Sequence, residues 1–397
     1  MPHFRILNAD PHSSARRGVI ETAHGPVQTP AFMPVGTAGA VKGILPSLLQ
    51  ETGTQIILAN TYHLMLRPGV EAVERIGGLH RLMAWDRPIL TDSGGYQVFS
   101  LSSLTRIDDE GVEFSSHIDG ARAHLNAEIA IDIQSRLDAD IIMCFDECTA
   151  LPADPTRLET ATRRTIEWAK RCKAAHRAIS DCGFRIADSS RGVNPKSEIR
   201  NPQSNRLLFG IVQGGTDLEL RRRCAEQIVE IGFDGYAIGG LSVGEGHGNM
   251  VRTVEFTAPL LPADHPRYLM GVGMPVDILA AVRAGVDMFD CVLPTRNGRN
   301  AFAFTEQGPL RLRNSVHGDS TEPVESGCDC YSCRHFTRGA IRHFFNSGEM
   351  LGPILLSLHN LRFYQRLMSN IREHIERGDF ATWAAGQMDQ YAWTDNQ

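Results

Sequence analysis

Eight short apolar runs, separated by turn chemistry or by stretches of helical period, constrain this chain more than any other feature. They are "AFMPVG" (31–36), "TQIILAN" (54–60), "PILTDS" (88–93), "DIIMCFDE" (140–147), "LLFGIVQGG" (207–215), "YAIGGL" (236–241), "RYLMGVG" (267–273) and "VDMFDCVLP" (286–294). Runs of this length without polar alternation are strands buried on both faces, the state of parallel strands covered by helices. The connecting segments fit that reading. Asp154 caps a helix with Pro155 in its first turn, and Ile129, Ile133 and Leu137 form a stripe four residues apart. Eight strand–helix units predict an α/β protein, a (β/α)8 TIM barrel over residues 1–300, with an open sheet of seven or eight strands as the second choice.

Two segments depart from this rhythm. Residues 180–206, "SDCGFRIADSSRGVNPKSEIRNPQSNR", are polar, hold the near-repeat "NPKS" and "NPQS", and lack a sustained period, so they are expected to form a mobile excursion before the fifth strand. Residues 301–397 follow the last strand and contain a cysteine knuckle, which predicts a metal-binding subdomain and C-terminal helices packed on the barrel.

Composition narrows the class. With 397 residues, 42% of them apolar, the chain has material for a large core. No run approaches the roughly 20 apolar residues of a membrane helix and no leader pattern opens the chain, so the expectation is a cytoplasmic protein without a membrane partner. Nine cysteines, six of them lying singly, suit reduced thiols. A net charge of −6 argues against indiscriminate nucleic-acid binding, yet Cys330–Arg372 holds six arginines against one acid. That bias is either a solvated face or a phosphate-binding surface.

"GCDCYSCRHF" (327–336) places Cys328, Cys330 and Cys333 within six positions. Zinc takes four sulfur or nitrogen ligands in a tetrahedron, and His359 in "LSLHNLRFY" is the best fourth, ahead of His317, His335 and His343. His359 is expected just before a helix bearing Leu361, Tyr364, Met368, Ile371 and Ile375. Four protein ligands leave no open position, so one structural Zn2+ per chain is the expectation.

In a parallel barrel chemistry gathers at the C-terminal strand ends. Asp92, Asp146 and Asp290 fall there, and each taken singly is as well explained as a cap. Gly94, Gly95, Gly214, Gly215, Gly239 and Gly240 let a flat ligand approach the backbone, with Gln213 as a mixed donor and acceptor. Such a pocket suits an amide-rich heterocycle such as a purine. "GVGMPVD" (271–277) lacks the last glycine of a dinucleotide loop and is rejected as one.

The motifs "LTDSGGYQVFSL", "FDECT", "LFGIVQGG", "IGGLSVGE", "YLMGVG", "DCVLPTRNGRN" and "CDCYSCRHF" with "LHNLRFY" resemble those of the bacterial tRNA-guanine transglycosylases, across almost the whole chain except residues 180–206. The resemblance implies exchange of the wobble guanine of GUN-anticodon tRNAs for 7-aminomethyl-7-deazaguanine, by a homodimer, in queuosine biosynthesis. It implies Asp290 as nucleophile and Asp92 as general acid and base, with Asp146, Gln213 and Gly240 reading the base edge and Tyr96 stacking on it. Ser93, Gly94, Gly95, Gly239 and Met270 complete that pocket. Cys148 and Val243 mark a preference for the small aminomethyl base over queuine, Leu241 accepts its ammonium, and Glu245 orients the turn. Gly271, Val272, Gly273, Met274, Pro275, Val276 and Asp277, with Thr295, Arg296, Asn297, Gly298 and Arg299, are the implied RNA-binding stretches. Val276 departs from the acid common there. The implied zinc ligands are Cys328, Cys330, Cys333 and His359. The alternative from another class is a catalytically inert RNA-binding relative, against which stand both Asp92 and Asp290. A barrel hydrolase with catalytic zinc instead requires an open metal site beside the aspartates.

Overall fold

A computed structural model describes residues 3–101, 106–186 and 206–391. All eight apolar runs are strands of one parallel sheet: β1 (Ala31–Pro34), β2 (Ile57–Ala59), β3 (Ile89–Thr91), β4 (Ile141–Met143), β5 (Leu207–Val212), β6 (Gly235–Ile238), β7 (Arg267–Leu269) and β8 (Met288–Cys291). Each strand pairs with the next in sequence from β2 to β8, and β8 pairs with β1 through Met288–Ala31 to Cys291–Pro34. One bridge, Val35 to Leu58, joins β1 to β2 and makes the circle nearly complete. The second choice, an open sheet, is set aside.

The lumen is filled by Met33, Leu58, Leu90, Ile141, Met143, Phe209, Ile211, Tyr268 and Met288, all buried. Its bottom is plugged by Phe4, Ile20 and Val27 from an antiparallel sheet (Phe4–Ala9, Arg16–Thr22, Gly25–Thr29) that precedes β1. Asp140, buried at the foot of β4, fastens this plug. It accepts from His24 Nδ1 at 2.8 Å and His80 Nε2 at 3.1 Å, and the two imidazoles stack with centroids 3.6 Å apart. Burial opposes the Asp140 charge, but these hydrogen bonds outweigh it and hold the carboxyl well below its usual range. A second small antiparallel sheet (Arg106–Ile107, Val112–Ser115, Arg122–Leu125) lies between β3 and β4.

Asp154 caps the helix Pro155–Ile186 as expected, its Oδ1 accepting from the amides of Thr156 and Arg157. That helix continues through Ser180–Ile186, so the first part of the expected excursion is regular. At its other end Arg206 is buried and donates to the Ala139 carbonyl at 2.9 Å and Asp138 at 2.8 Å. Residues 187–205 lie outside the described residues. No helix among the described residues is long and apolar enough to cross a membrane.

After β8 come the helix Leu293–Arg299, the cysteine knuckle, and the 27-residue helix Leu351–Arg377. His359 lies inside this last helix and not ahead of it. The helix buries Leu361, Tyr364, Met368, Ile371 and Ile375 against the barrel. It approaches Leu293–Arg299 so closely that a Cβ at Gly298 would lie 2.6 Å from the Ser357 backbone. Asn360 donates to the carbonyls of Pro294 and Phe302, and Arg372 reaches back to the Pro30 carbonyl at 2.7 Å.

Candidate active site

Parallel strands present all their C-terminal ends on one side, and there they surround a cavity of about 550 Å3. Asp92 follows β3, Asp146 follows β4 and Asp290 lies in β8, so all three line it although 198 positions separate the first from the last.

Asp92 accepts from the Thr61 amide at 2.8 Å, from Gln97 Nε2 at 2.8 Å and from Asn60 Nδ2. Asp290 Oδ1 accepts from Tyr268 Oη at 2.5 Å and from the Gly271 amide at 2.7 Å. Burial pushes the Asp92 carboxyl up to about 6 despite its three donors, and the nearby Asp290 charge adds to the rise. Burial likewise raises Asp290, against the pull of Tyr268 and Gly271. Burial thus raises both carboxyls, which differ in their donor sets.

Asp146 forms the next wall. Its Oδ1 accepts from Ser93 Oγ at 3.0 Å and its Oδ2 from Gln213 Nε2 at 2.7 Å, while burial raises its carboxyl to about 6. Gly240 has φ +65° and lies flush against Gln213, so that a Cβ there would collide with Oε1. Gly95 is equally tight, with a Cβ falling 2.6 Å from the Asp146 carbonyl. Gly239, Leu241, Val243, Cys148 and Met270 also line the cavity, and Tyr96 stands at its mouth, 52% exposed. Glu245 accepts from the amides of Ser242 and Val243, which holds the turn after Leu241. Gly94 has φ +80° and backs onto Tyr62.

Four supporting residues went unread in the sequence. Asn60 ends the β2 run as Asp92 ends β3, and the same strand-end logic would have found it. Gln97 carries no such signal, Tyr268 reads as core inside a buried strand, and Arg221 reads as a surface charge within "RRR". Arg221 is in fact fully buried, and it donates to the carbonyls of Gly215 at 2.8 Å and Val212 at 2.9 Å beneath the Gln213 loop.

The two glycine- and arginine-containing stretches divide by burial. Val272, Gly273, Pro275, Thr295 and Gly298 are packed inside, Met274, Val276, Asp277, Asn297 and Arg299 are half-buried, and Gly271 and Arg296 are exposed. The basic bias of the C-terminal third is largely consumed internally. Arg313, Arg338, Arg342 and Arg372 donate to backbone carbonyls, while Arg362 and Arg366 pair with Asp329 and Glu325. Arg296 lines the cavity, and Arg299 keeps a buried Nη1 without a hydrogen-bond acceptor among the described residues.

Cys328, Cys330, Cys333 and His359 come together apart from the cavity, and none of them lines it. The three sulfurs lie 3.7, 3.8 and 3.3 Å from His359 Nδ1. A tetrahedral zinc, with sulfur at ~2.3 Å and nitrogen at ~2.0 Å, spaces such atoms about 3.5 Å apart. His359 Nε2 donates to the Phe304 carbonyl at 2.9 Å, which leaves the Nδ1 lone pair facing the thiols. Hydrogen bonding within the knuckle lowers the Cys330 thiol and raises Cys333, and three thiolates this close repel one another unless a cation lies among them. The set fits a metal ion with four protein ligands.

A nearly closed parallel barrel, buried carboxylates at its mouth and an amide-lined cradle beside them define a barrel enzyme suited to chemistry on a glycosidic bond. The model of the queuine tRNA-ribosyltransferase family matches residues 10–392, and the chain belongs to that family. Among its relatives, the queuine tRNA-ribosyltransferase of Nitrosomonas eutropha is 54% identical over 381 residues, 96% of this chain and 98% of the relative. Those of Zymomonas mobilis (50% over 383 residues, 96% and 94%) and Pseudomonas aeruginosa (48% over 381, 96% and 95%) are similar over the same extent. The chain is accordingly a pentosyltransferase.

Proposed function

We propose that this enzyme exchanges guanine at the wobble position of GUN-anticodon tRNAs for 7-aminomethyl-7-deazaguanine through a covalent ribosyl–Asp290 intermediate. The observation that carries the reading is the convergence of Asp92 and Asp290 with the Asp146–Gln213–Gly240 cradle in one cavity. One N-glycosidic bond is broken and another remade at a single carbon, which calls for the two-carboxylate logic of a retaining glycosidase. Asp290 attacks the anomeric carbon and guanine departs with a proton, for which Asp92 is the donor and later the acceptor. The target base is flipped out of its stack, Tyr96 stacks on it, and Asp146 with Gln213 holds its amide edge.

Val243 fills space that the cyclopentenediol of queuine would need, and the Leu241 carbonyl receives the aminomethyl group. Arg296, exposed at the cavity, and the half-buried Arg299 take phosphates. Zinc is the metal of the knuckle, on the softness of three thiolates, and its role is to fasten the C-terminal helix. A homodimer is proposed on the family resemblance, and Leu45, Val316 and Met350, which are 64, 78 and 78% exposed, offer apolar surface for a partner. The site of action is the cytoplasm.

The test is incorporation of radiolabelled guanine into unmodified GUN-anticodon tRNA. Asp290→Ala is expected to abolish exchange and Asp92→Asn to reduce it by at least about a hundredfold. Full exchange in Asp290→Ala overturns the intermediate. In competition between the two bases, Val243→Gly is expected to admit queuine, and an unchanged preference removes Val243 from the selectivity account.

A further inference from the structure

We infer that Tyr364, on the helix that carries the metal ligand His359, is a positioning residue for the nucleophilic carboxylate of Asp290. This rests on the proposed role of Asp290. Tyr364 is fully buried, and its hydroxyl donates to the Gly273 carbonyl. Gly273 is pressed from the other side by Cys291, since a Cβ on it would fall 2.7 Å from the Cys291 sulfur. The loop Gly271–Gly273 is therefore gripped between β8 and the Leu351–Arg377 helix. At its start the Gly271 amide supplies one of the two hydrogen bonds to Asp290 Oδ1, the other coming from Tyr268.

Gly271 is exposed and has φ +72°, a left-handed turn with no side chain to hold it. Its amide is aimed at Asp290 only while Gly273 stays in place. The phenol of Tyr364 is the side-chain donor that fixes that carbonyl, 91 positions away in the sequence. A carboxylate that keeps both donors stays ionised and oriented for attack. One that loses the Gly271 amide is left in a buried site with Tyr268 alone.

Tyr364→Phe keeps the ring and its packing on Phe32 and removes only the hydroxyl. Exchange of guanine into tRNA should then show kcat reduced at least tenfold with KM for tRNA within twofold. The acidic limb of the pH–kcat profile should move to higher pH, because Asp290 is less well stabilised as an anion. The other titratable groups facing Asp290 are Tyr268, Asp92 and Cys291, and Tyr364→Phe leaves all three side chains unchanged. Gln365→Ala serves as the control for loosening alone: it cuts the hydrogen bond from the same helix to the Phe32 carbonyl and should lower Tm without moving the limb. A Tyr364→Phe enzyme with kcat and limb unchanged overturns the inference, as does an identical limb shift in Gln365→Ala. If Tyr364→Phe does not fold, hydrogen exchange of the Gly271 amide in the parent decides: protection is expected, and exchange at open-loop rates overturns the inference. Retained exchange in Asp290→Ala would instead sink the nucleophile reading and leave the contact purely structural.

Discussion

Asp146 has both oxygens committed, to Ser93 and Gln213, yet burial raises its carboxyl to about 6. The consequence for stability has a definite sign. Between about pH 4 and 6 the folded chain binds a proton at this site that the unfolded chain has released, so stability falls as pH rises. A rise of that size from the ordinary carboxyl value corresponds to about 3 kcal/mol. Asn at this position can donate to the Ser93 hydroxyl oxygen and accept from the Gln213 amide. Urea unfolding of Asp146→Asn against the parent should therefore show the variant gaining by about 2 kcal/mol between pH 4.5 and 7.5. A pH-independent difference would mean that the carboxyl ionises normally. Catalysis inverts the preference: buried, raised carboxyls stabilise the fold when protonated, while the proposed attack requires Asp290 ionised, so exchange is expected to fade as pH falls through the raised Asp290 value.

At the scale of elements, the plug at the barrel bottom is tied by His24 and His80 to one carboxylate. The hydrogen bond to Asp140 raises His24, against the opposing effect of its partial burial. Its stabilisation is complete below the ordinary histidine range and fades as pH rises through the elevated value. His24→Phe keeps the stacked ring and removes the tie. Hydrogen exchange in Arg16–Thr22 should accelerate in this variant at pH 6 and differ little from the parent at pH 9; equal acceleration at both values would assign the tie to the neutral imidazole. The eight barrel strands were legible because strands buried on both faces leave nothing polar to interrupt them. The plug and the second small sheet were not, since their short strands alternate polar and apolar residues, as turns also do. Spacing alone exposed the cysteine knuckle. The helix around His359 begins earlier than its apolar period shows, and Pro353 fits its first turn, where the missing N–H has no partner to lose. Of the candidate site, the strand-end carboxylates were visible, while Tyr268, Gln97 and Arg221 were hidden because their importance depends on neighbours distant in sequence.

For the whole molecule, the helix Leu351–Arg377 connects the metal knuckle, the loop beside Asp290 and the first barrel strand. Removing the proposed metal with a chelator should loosen this helix and the Gly271–Gly273 loop while the β3–β6 amides stay protected, and hydrogen exchange reads all three regions at once. Uniform loosening of the barrel would instead make the metal part of the global fold. The bond from Arg372 to the Pro30 carbonyl spans 342 positions. In order of synthesis, at about 5–20 residues per second, the start of β1 waits roughly 17–70 s for the arginine that covers it. Through most of that interval β1 also lacks β8, its only laddered neighbour among the described residues, and Asp290 has yet to be made. On the proposed roles, the nascent enzyme therefore has its base cradle before its nucleophile, and a chain still short of β8 cannot trap a tRNA covalently while it remains tethered to the ribosome.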